Sequence, residues 1–202
     1  MPILKERDSY HHGDLRAALI DETERMVAAN ALGQITLIEL GRRLGVARSA
    51  PYRHFRNKNA LLCEVAVRAF ARTRDMTRAI RLTPGLSPAE RLQALARAFF
   101  NFAVDHPDWF RLMYREGLVG AAESPALAAM READFAELVL LLAEAQEAGQ
   151  IARGDLETQA LFCWAPLHGM ASLVVDQHLP KELFAGMLDW TVTGILKGLR
   201  PD

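Results

Sequence analysis

Residues Thr36 to Glu64 read TLIELGRRLGVARSAPYRHFRNKNALLCE. Thr36 stands three residues before Glu39, the spacing of a capping box, and opens a short helix through Leu40 to about Leu44. Gly45 ends that helix because glycine takes left-handed backbone without a steric penalty, and Val46 is the apolar residue of a tight turn. A short basic helix follows from Ala47 to about Phe55. Asn57 or Asn59 then caps a long helix in which Leu61, Leu62, Val65, Ala69, Phe70, Met76 and Ile80 trace one stripe. Upstream, Leu15, Leu19, Met26 and Val27 recur at helical spacing, with Gly33 as the stop. Helix, short helix, glycine-containing turn and short basic helix make a helix-turn-helix arrangement. Its second short helix is free to lie in a DNA major groove.

The charge pattern points the same way. The net charge is −1, yet Arg42 to Lys58 holds six cations (Arg42, Arg43, Arg48, Arg53, Arg56 and Lys58) and no acid. Such asymmetry suggests that one end of a chain meets a polyanion, although a solvated helix face would show it too. Its place in the second short helix favours nucleic acid.

At 202 residues, 50% hydrophobic and 24% charged, the composition is globular and argues against disorder. No apolar run approaches the ~18 residues of a membrane span, and MPILKERDSYHHGD at the start has no signal-peptide core. A soluble, cytoplasmic protein without a membrane partner is expected. Cys63 and Cys163 lie too far apart for a disulfide framework and lack neighbouring ligands, so neither a metal nor a cofactor is expected. No G-x-S-x-G, P-loop, G-x-G-x-x-G or H-E-x-x-H occurs, and nothing assembles a nucleophile, base and orienter. An enzyme is not expected.

Beyond residue 80 every signal is helical. Pro84-Gly85 is a turn, and Ser87-Pro88-Ala89-Glu90 is a capping box with proline in the first turn. Further helices run to Pro107, from about Asp108 to Glu116, from Ser124-Pro125 to Gly149, from Gly154-Asp155 to about His178, and from Pro180 to about Leu199. The expectation is an all-α protein of nine helices. A helix-turn-helix head (1–58) leads into a second helical domain (59–202), joined rigidly through the long fourth helix.

The stretch from Thr36 to Glu64 resembles the DNA-binding signature of the TetR/AcrR family of bacterial transcriptional regulators. The matching positions are Leu40, Gly45, Val46, Tyr52, Phe55, Lys58, Leu61 and Leu62. Tyr10-His11-His12-Gly13-Asp14-Leu15-Arg16 and Trp164-x-x-x-His168-Gly169 resemble the subgroup with a WHG-type C-terminal domain. The resemblance implies a dimeric regulator, a ligand-released repressor on a palindromic double-stranded operator. It places Tyr52, His54 and Lys58 at phosphate-contacting positions and Arg48, Ser49 and Arg53 toward base edges or the groove wall. Thr36 offers phosphate a hydroxyl or a helix N-terminus. Arg48 is the candidate for a bidentate guanine contact. Phe55 reads as the plug of the head's core, and His54 reads equally as a partly buried structural residue. Two departures stand out: Ala47 replaces the usual Ser or Thr cap, and Pro51 falls within the short helix.

The last two helices carry the candidate dimer seam, Leu183, Met187, Trp190, Gly194 and Ile195, although each also reads as intrachain core. The bulky residues of the middle helices, Phe99, Phe102, Trp109, Met113, Tyr114, Phe135, Trp164 and His168, are candidates for a cavity that takes a small apolar or amphipathic effector. Each reads as ordinary core as well. The competing reading of the chain is a helical small-molecule-binding or interaction protein with a non-functional DNA head. The acid-free basic run counts against it.

Overall fold

The computed structural model describes residues 15–114 and 124–201. The described residues form eight α-helices: α1 (Leu15–Ala28), α2 (Leu37–Arg43), α3 (Lys58–Arg81), α4 (Pro88–Asp105), α5 (Pro107–Tyr114), α6 (Pro125–Glu147), α7 (Leu156–Val175) and α8 (Phe184–Gly198). The ninth expected helix, the basic one, is a helical path closed by 3-10 turns, with Pro51–Arg53 at its centre. Pro51 has no N–H to give the Ala47 carbonyl, so that carbonyl takes Ala50 N–H instead, at 2.8 Å. Tyr10 to Asp14 of the second motif, and the expected end of α5 at Glu116, lie outside the described residues.

The helix ends follow capping chemistry, with two corrections. The stop after α1 is Asn30, not Gly33: Asn30 takes φ 54°, and Ala31 N–H closes back on the Met26 carbonyl at 2.9 Å. Asparagine is among the few L residues that enter this region readily. Thr36 caps α2 through Glu39 N–H at 3.0 Å, but the Glu39 carboxylate turns to Arg42 and Arg43 rather than back to the cap. Ser87 and Glu90 form the full reciprocal box at the start of α4. Gly45, at φ 68°, ends α2 as its position suggested.

Two apolar clusters hold the chain. The first gathers Leu19, Met26, Leu40, Phe55, Leu61, Leu62 and Phe70 of the head and α3 with Leu112, Met113 and Leu127 from α5 and α6. The second joins α4, α6, α7 and α8 through Phe100, Leu141, Leu142, Leu167 and Val192. Side chains of α3 reach from the head's core into the space between the middle helices. At its far end Arg81 pairs with Glu137 at 3.0 Å and Glu144 at 2.5 Å, and Arg91 of α4 joins Glu144 at 3.3 Å.

Candidate DNA-binding face and effector cavity

The head sorts its cations into two sets. Arg42 and Arg43 chelate Glu39 at 2.7 and 2.9 Å, and Arg43 also reaches Glu22 at 3.3 Å. Their guanidinium donors hold the Glu39 carboxyl down at about 2. Those two cations serve the head itself. Arg48, Arg53 and Arg56 are exposed and make no ion pair among the described residues, and Ser49, Tyr52 and His54 are exposed beside them. His54 is therefore a surface group, and the buried plug is Phe55, with the Arg16 guanidinium 5.3 Å from its ring centre.

Lys58 differs from the other cations. It is half-buried with Nζ 3.5 Å from the Leu32 carbonyl, and desolvation lowers its pKa from the ordinary lysine value. Thr36 Oγ is occupied as an acceptor by the cap, which leaves its O–H free to donate outward. Pro51 is buried in the seam between the basic turn and α2. A Cβ on Gly41 would stand 3.1 Å from Pro51 Cγ, so the glycine makes room for the proline. Pro51 thus docks the basic turn on α2.

The head is tied to α5 and α7 by a buried polar chain. Leu32 N–H donates to Asp108 Oδ2 at 2.8 Å, and Arg111 donates to Asp108 Oδ1 at 3.0 Å. The other arm of Arg111 donates to the Val175 carbonyl at the end of α7. Asp108 reads in the sequence only as a turn-and-cap residue near Pro107. Its true partner lies 76 positions away, where no local pattern shows it.

Between the middle helices lies a largely apolar cavity of about 460 Å³. Phe99, Tyr114, Phe135 and Trp164 line it, as do Phe70 and Thr77 of α3. The other four candidates lie elsewhere. Phe102, Trp109 and Met113 pack on the head's cluster, Trp109 with Arg72 6.0 Å from its ring centre. His168 borders a second, smaller cavity of about 190 Å³ together with Arg111, Ser172 and Asp176. It stacks on Trp164 with ring centres 4.4 Å apart and meets Tyr114 edge-on at 5.1 Å. His168 Nδ1 is buried without a partner among the described residues, and burial lowers its pKa from the ordinary histidine value.

Sequence reasoning missed one wall residue of consequence. Asp134 of α6 lines the large cavity, has one buried carboxylate oxygen with no hydrogen-bond partner among the described residues, and is pushed up to about 6 by burial. An isolated acid in a helix reads as solvated surface, so only the packing reveals it.

The last two helices turn one apolar face outward. Leu183, Met187 and Trp190 of the predicted seam are exposed, Trp190 by 78%, and nothing lies within 4 Å of a Cβ placed on Gly194. Ile195 does not belong with them: it is 8% exposed and lines the cavity. The reason is helical phase. Leu188, Val192, Ile195 and Leu199 share the inward face, one residue out of step with the outward set. On α7, Phe162 and Leu173 are exposed as well, Leu161 is exposed at the rim of the cavity, and nothing among the described residues lies within 4 Å of a Cβ placed on Gly169.

Two family profiles match this architecture. That of the bacterial regulatory proteins of the tetR family matches residues 19–65, and the tetracyclin repressor-like C-terminal domain matches residues 92–193. The chain belongs to the tetR family of bacterial regulators. No curated protein matches it. Among solved structures, this tetR-family chain is similar to a protein of unknown function from Rhodococcus sp. RHA1, at 29% identity and TM-score 0.81, over 96% of this chain and 100% of that one. It shares its fold with the fatty acid degradation regulator FadR from Bacillus halodurans, at 21% identity and TM-score 0.72, over 94% and 98% of the two chains. FadR from Bacillus subtilis, solved in complex with stearoyl-CoA, is similar at 16% identity and TM-score 0.71, over 92% and 100%. No described helix is long and apolar enough to cross a membrane.

Proposed function

We propose that the chain works in the cytoplasm as a dimeric repressor that releases a palindromic operator when a small apolar or amphipathic effector fills the large cavity. The supporting observation is one 24-residue helix, α3, whose first residue is Lys58 of the basic run and whose Phe70 and Thr77 line the cavity. A ligand that shifts α3 shifts the DNA-facing turn with it. Arg48, Ser49 and Arg53 read bases, while Thr36, Tyr52, His54 and Lys58 hold phosphates. Lys58 does so from a partly sequestered position, so its contribution is smaller than that of a free lysine.

Pairing of the outward faces of α7 and α8 with their copies covers Trp190 and its neighbours and sets two basic turns on one DNA face. A two-fold dimer requires half-sites about one helical turn apart. Trp164, His168 and Gly169 hold the spacing of the WHG subgroup, and their arrangement supports assignment to it: the first two stack on each other, while Gly169 faces outward with the seam. FadR from Bacillus subtilis binds stearoyl-CoA. That protein is similar here in fold alone, so the effector is read from this cavity.

Affinity selection of fragmented genomic DNA at near-physiological salt, followed by sequencing, tests the reading. A recovered palindrome with half-sites about ten base pairs apart supports it. Recovery of only salt-sensitive, sequence-blind DNA contradicts it and favours a helical carrier with a non-functional head.

A further inference from the structure

The large cavity is apolar in bulk but not in every part of its wall. Its lining carries one arginine, Arg131, and two acids, Glu132 and Asp134. Arg131 and Glu132 are exposed, whereas Asp134 is largely buried. One Asp134 oxygen is shut off from solvent and receives no hydrogen bond from the described residues, an uncommon condition for a carboxylate. The other groups facing it are Thr73 and Arg74 from α3, Glu137 from α6 and the Tyr114 ring from α5. Thr73 lies within hydrogen-bonding reach of the acid, while its hydroxyl also reaches the Phe70 carbonyl at 3.0 Å, and Arg74 is engaged with Asp75 at 3.0 Å. Neither donates to the buried Asp134 oxygen.

Five aromatic side chains, Phe70, Phe99, Tyr114, Phe135 and Trp164, line the same space. Their faces carry negative electrostatic potential and attract cations, most strongly where water is excluded. A carboxylate short of a donor, aromatic walls and an excess of acid over base in the lining all favour a positive guest and disfavour a negative one. We infer that the cavity selects an apolar molecule bearing a protonated amine, whose N–H groups the Asp134 carboxylate accepts. Rotation about χ2 of an aspartate meets only a broad, shallow barrier, so the unpaired oxygen turns toward the incoming donor. An ammonium–carboxylate contact in such surroundings is a charge-assisted hydrogen bond, the strong kind. This inference rests on the reading of the cavity as the effector site and adds the charge of the guest.

The test uses three probes with one skeleton, 4-phenylbenzylamine, 4-phenylbenzyl alcohol and 4-phenylbenzoate, titrated calorimetrically into the full chain at pH 7.5. The amine is expected to bind at least tenfold tighter than the alcohol, and the benzoate more weakly than either. Asp134→Asn is expected to remove the preference for the amine while leaving alcohol affinity within about threefold. Its fold is checked by circular dichroism, and the wild-type ranking stands as a test even if that variant misfolds. An amine that binds no better than the alcohol, or a preference that survives Asp134→Asn, overturns the inference and leaves the cavity reading intact. Failure of all three probes to bind overturns both.

Discussion

The Asp108 carboxylate receives Leu32 N–H across 76 positions of sequence, at 2.8 Å, and so fastens the DNA-facing head to the helix that ends in Tyr114 of the cavity wall. A buried amide held by a charged acceptor is costly to orphan. Asp108→Ala is expected to lose about 1.5–3 kcal/mol in urea denaturation, the range for hydrogen bonds to charged groups. Asp108→Asn keeps an accepting oxygen for Leu32 and should lose less. Equal losses for the two variants would show that the amide contact carries none of the effect.

On the proposed reading, Arg48 and Lys58 divide the DNA work between them. Arg48→Ala should relax selectivity at one base pair, at a cost of roughly 1–3 kcal/mol on the cognate site. Lys58→Ala should weaken all sequences alike and shallow the salt dependence by at most about one unit. Its contact with the Leu32 carbonyl holds that change to less than the full unit. Binding isotherms on cognate and scrambled duplexes at several salt concentrations separate the two behaviours.

Opposite faces of α8 predict opposite phenotypes. Trp190→Glu places a charge in the exposed apolar surface and should give a monomer in sedimentation velocity, with an unchanged far-ultraviolet spectrum. Ile195→Ala, which truncates an inward side chain already bordering open space, should leave the oligomer intact and lower stability by about 2 kcal/mol. A monomeric Ile195→Ala would reverse the assignment of faces.

Acid should relieve the fold of one burden. Burial raises Asp134 to about 6 from an ordinary 3.8, so the native state holds a proton that the unfolded chain releases. Stability from this group is present below about 3.8 and is lost as pH rises through about 6. Asp134→Asn is therefore expected to exceed the wild type by about 2–3 kcal/mol at pH 7.5, from roughly two pKa units. The gap should shrink to about half at pH 5. A constant gap would mean that ionisation of Asp134 is not its source.

The head was legible because its signals are local. Thr36, Gly45, Asn57 and Ser87 each declare a helix end through their own side chain or backbone freedom, and α2, α3 and α4 begin or stop where they stand. Gly33 misled because Asn30, three residues earlier, took the left-handed position first. The cavity was half legible. Aromatic spacing shows that Trp109 and Phe135 turn inward, but an inward side chain on these helices meets either the head's cluster or the cavity. Which one depends on tertiary placement. In α8, apolar residues occur all round, so periodicity could not separate Ile195 from Trp190. Asp134 and the Asp108–Leu32 bond arise from partners far apart in the chain, and no spacing rule reaches them.

The claim that cavity occupancy governs DNA binding is tested most directly by filling the cavity from within. Ala96 is buried in α4 and lines it, so Ala96→Phe puts a ring where the effector would sit. Operator affinity of this variant, measured by fluorescence anisotropy beside the wild type, should fall at least tenfold while the dimer and the melting temperature hold. An unchanged operator affinity in a folded, dimeric Ala96→Phe protein would contradict the account.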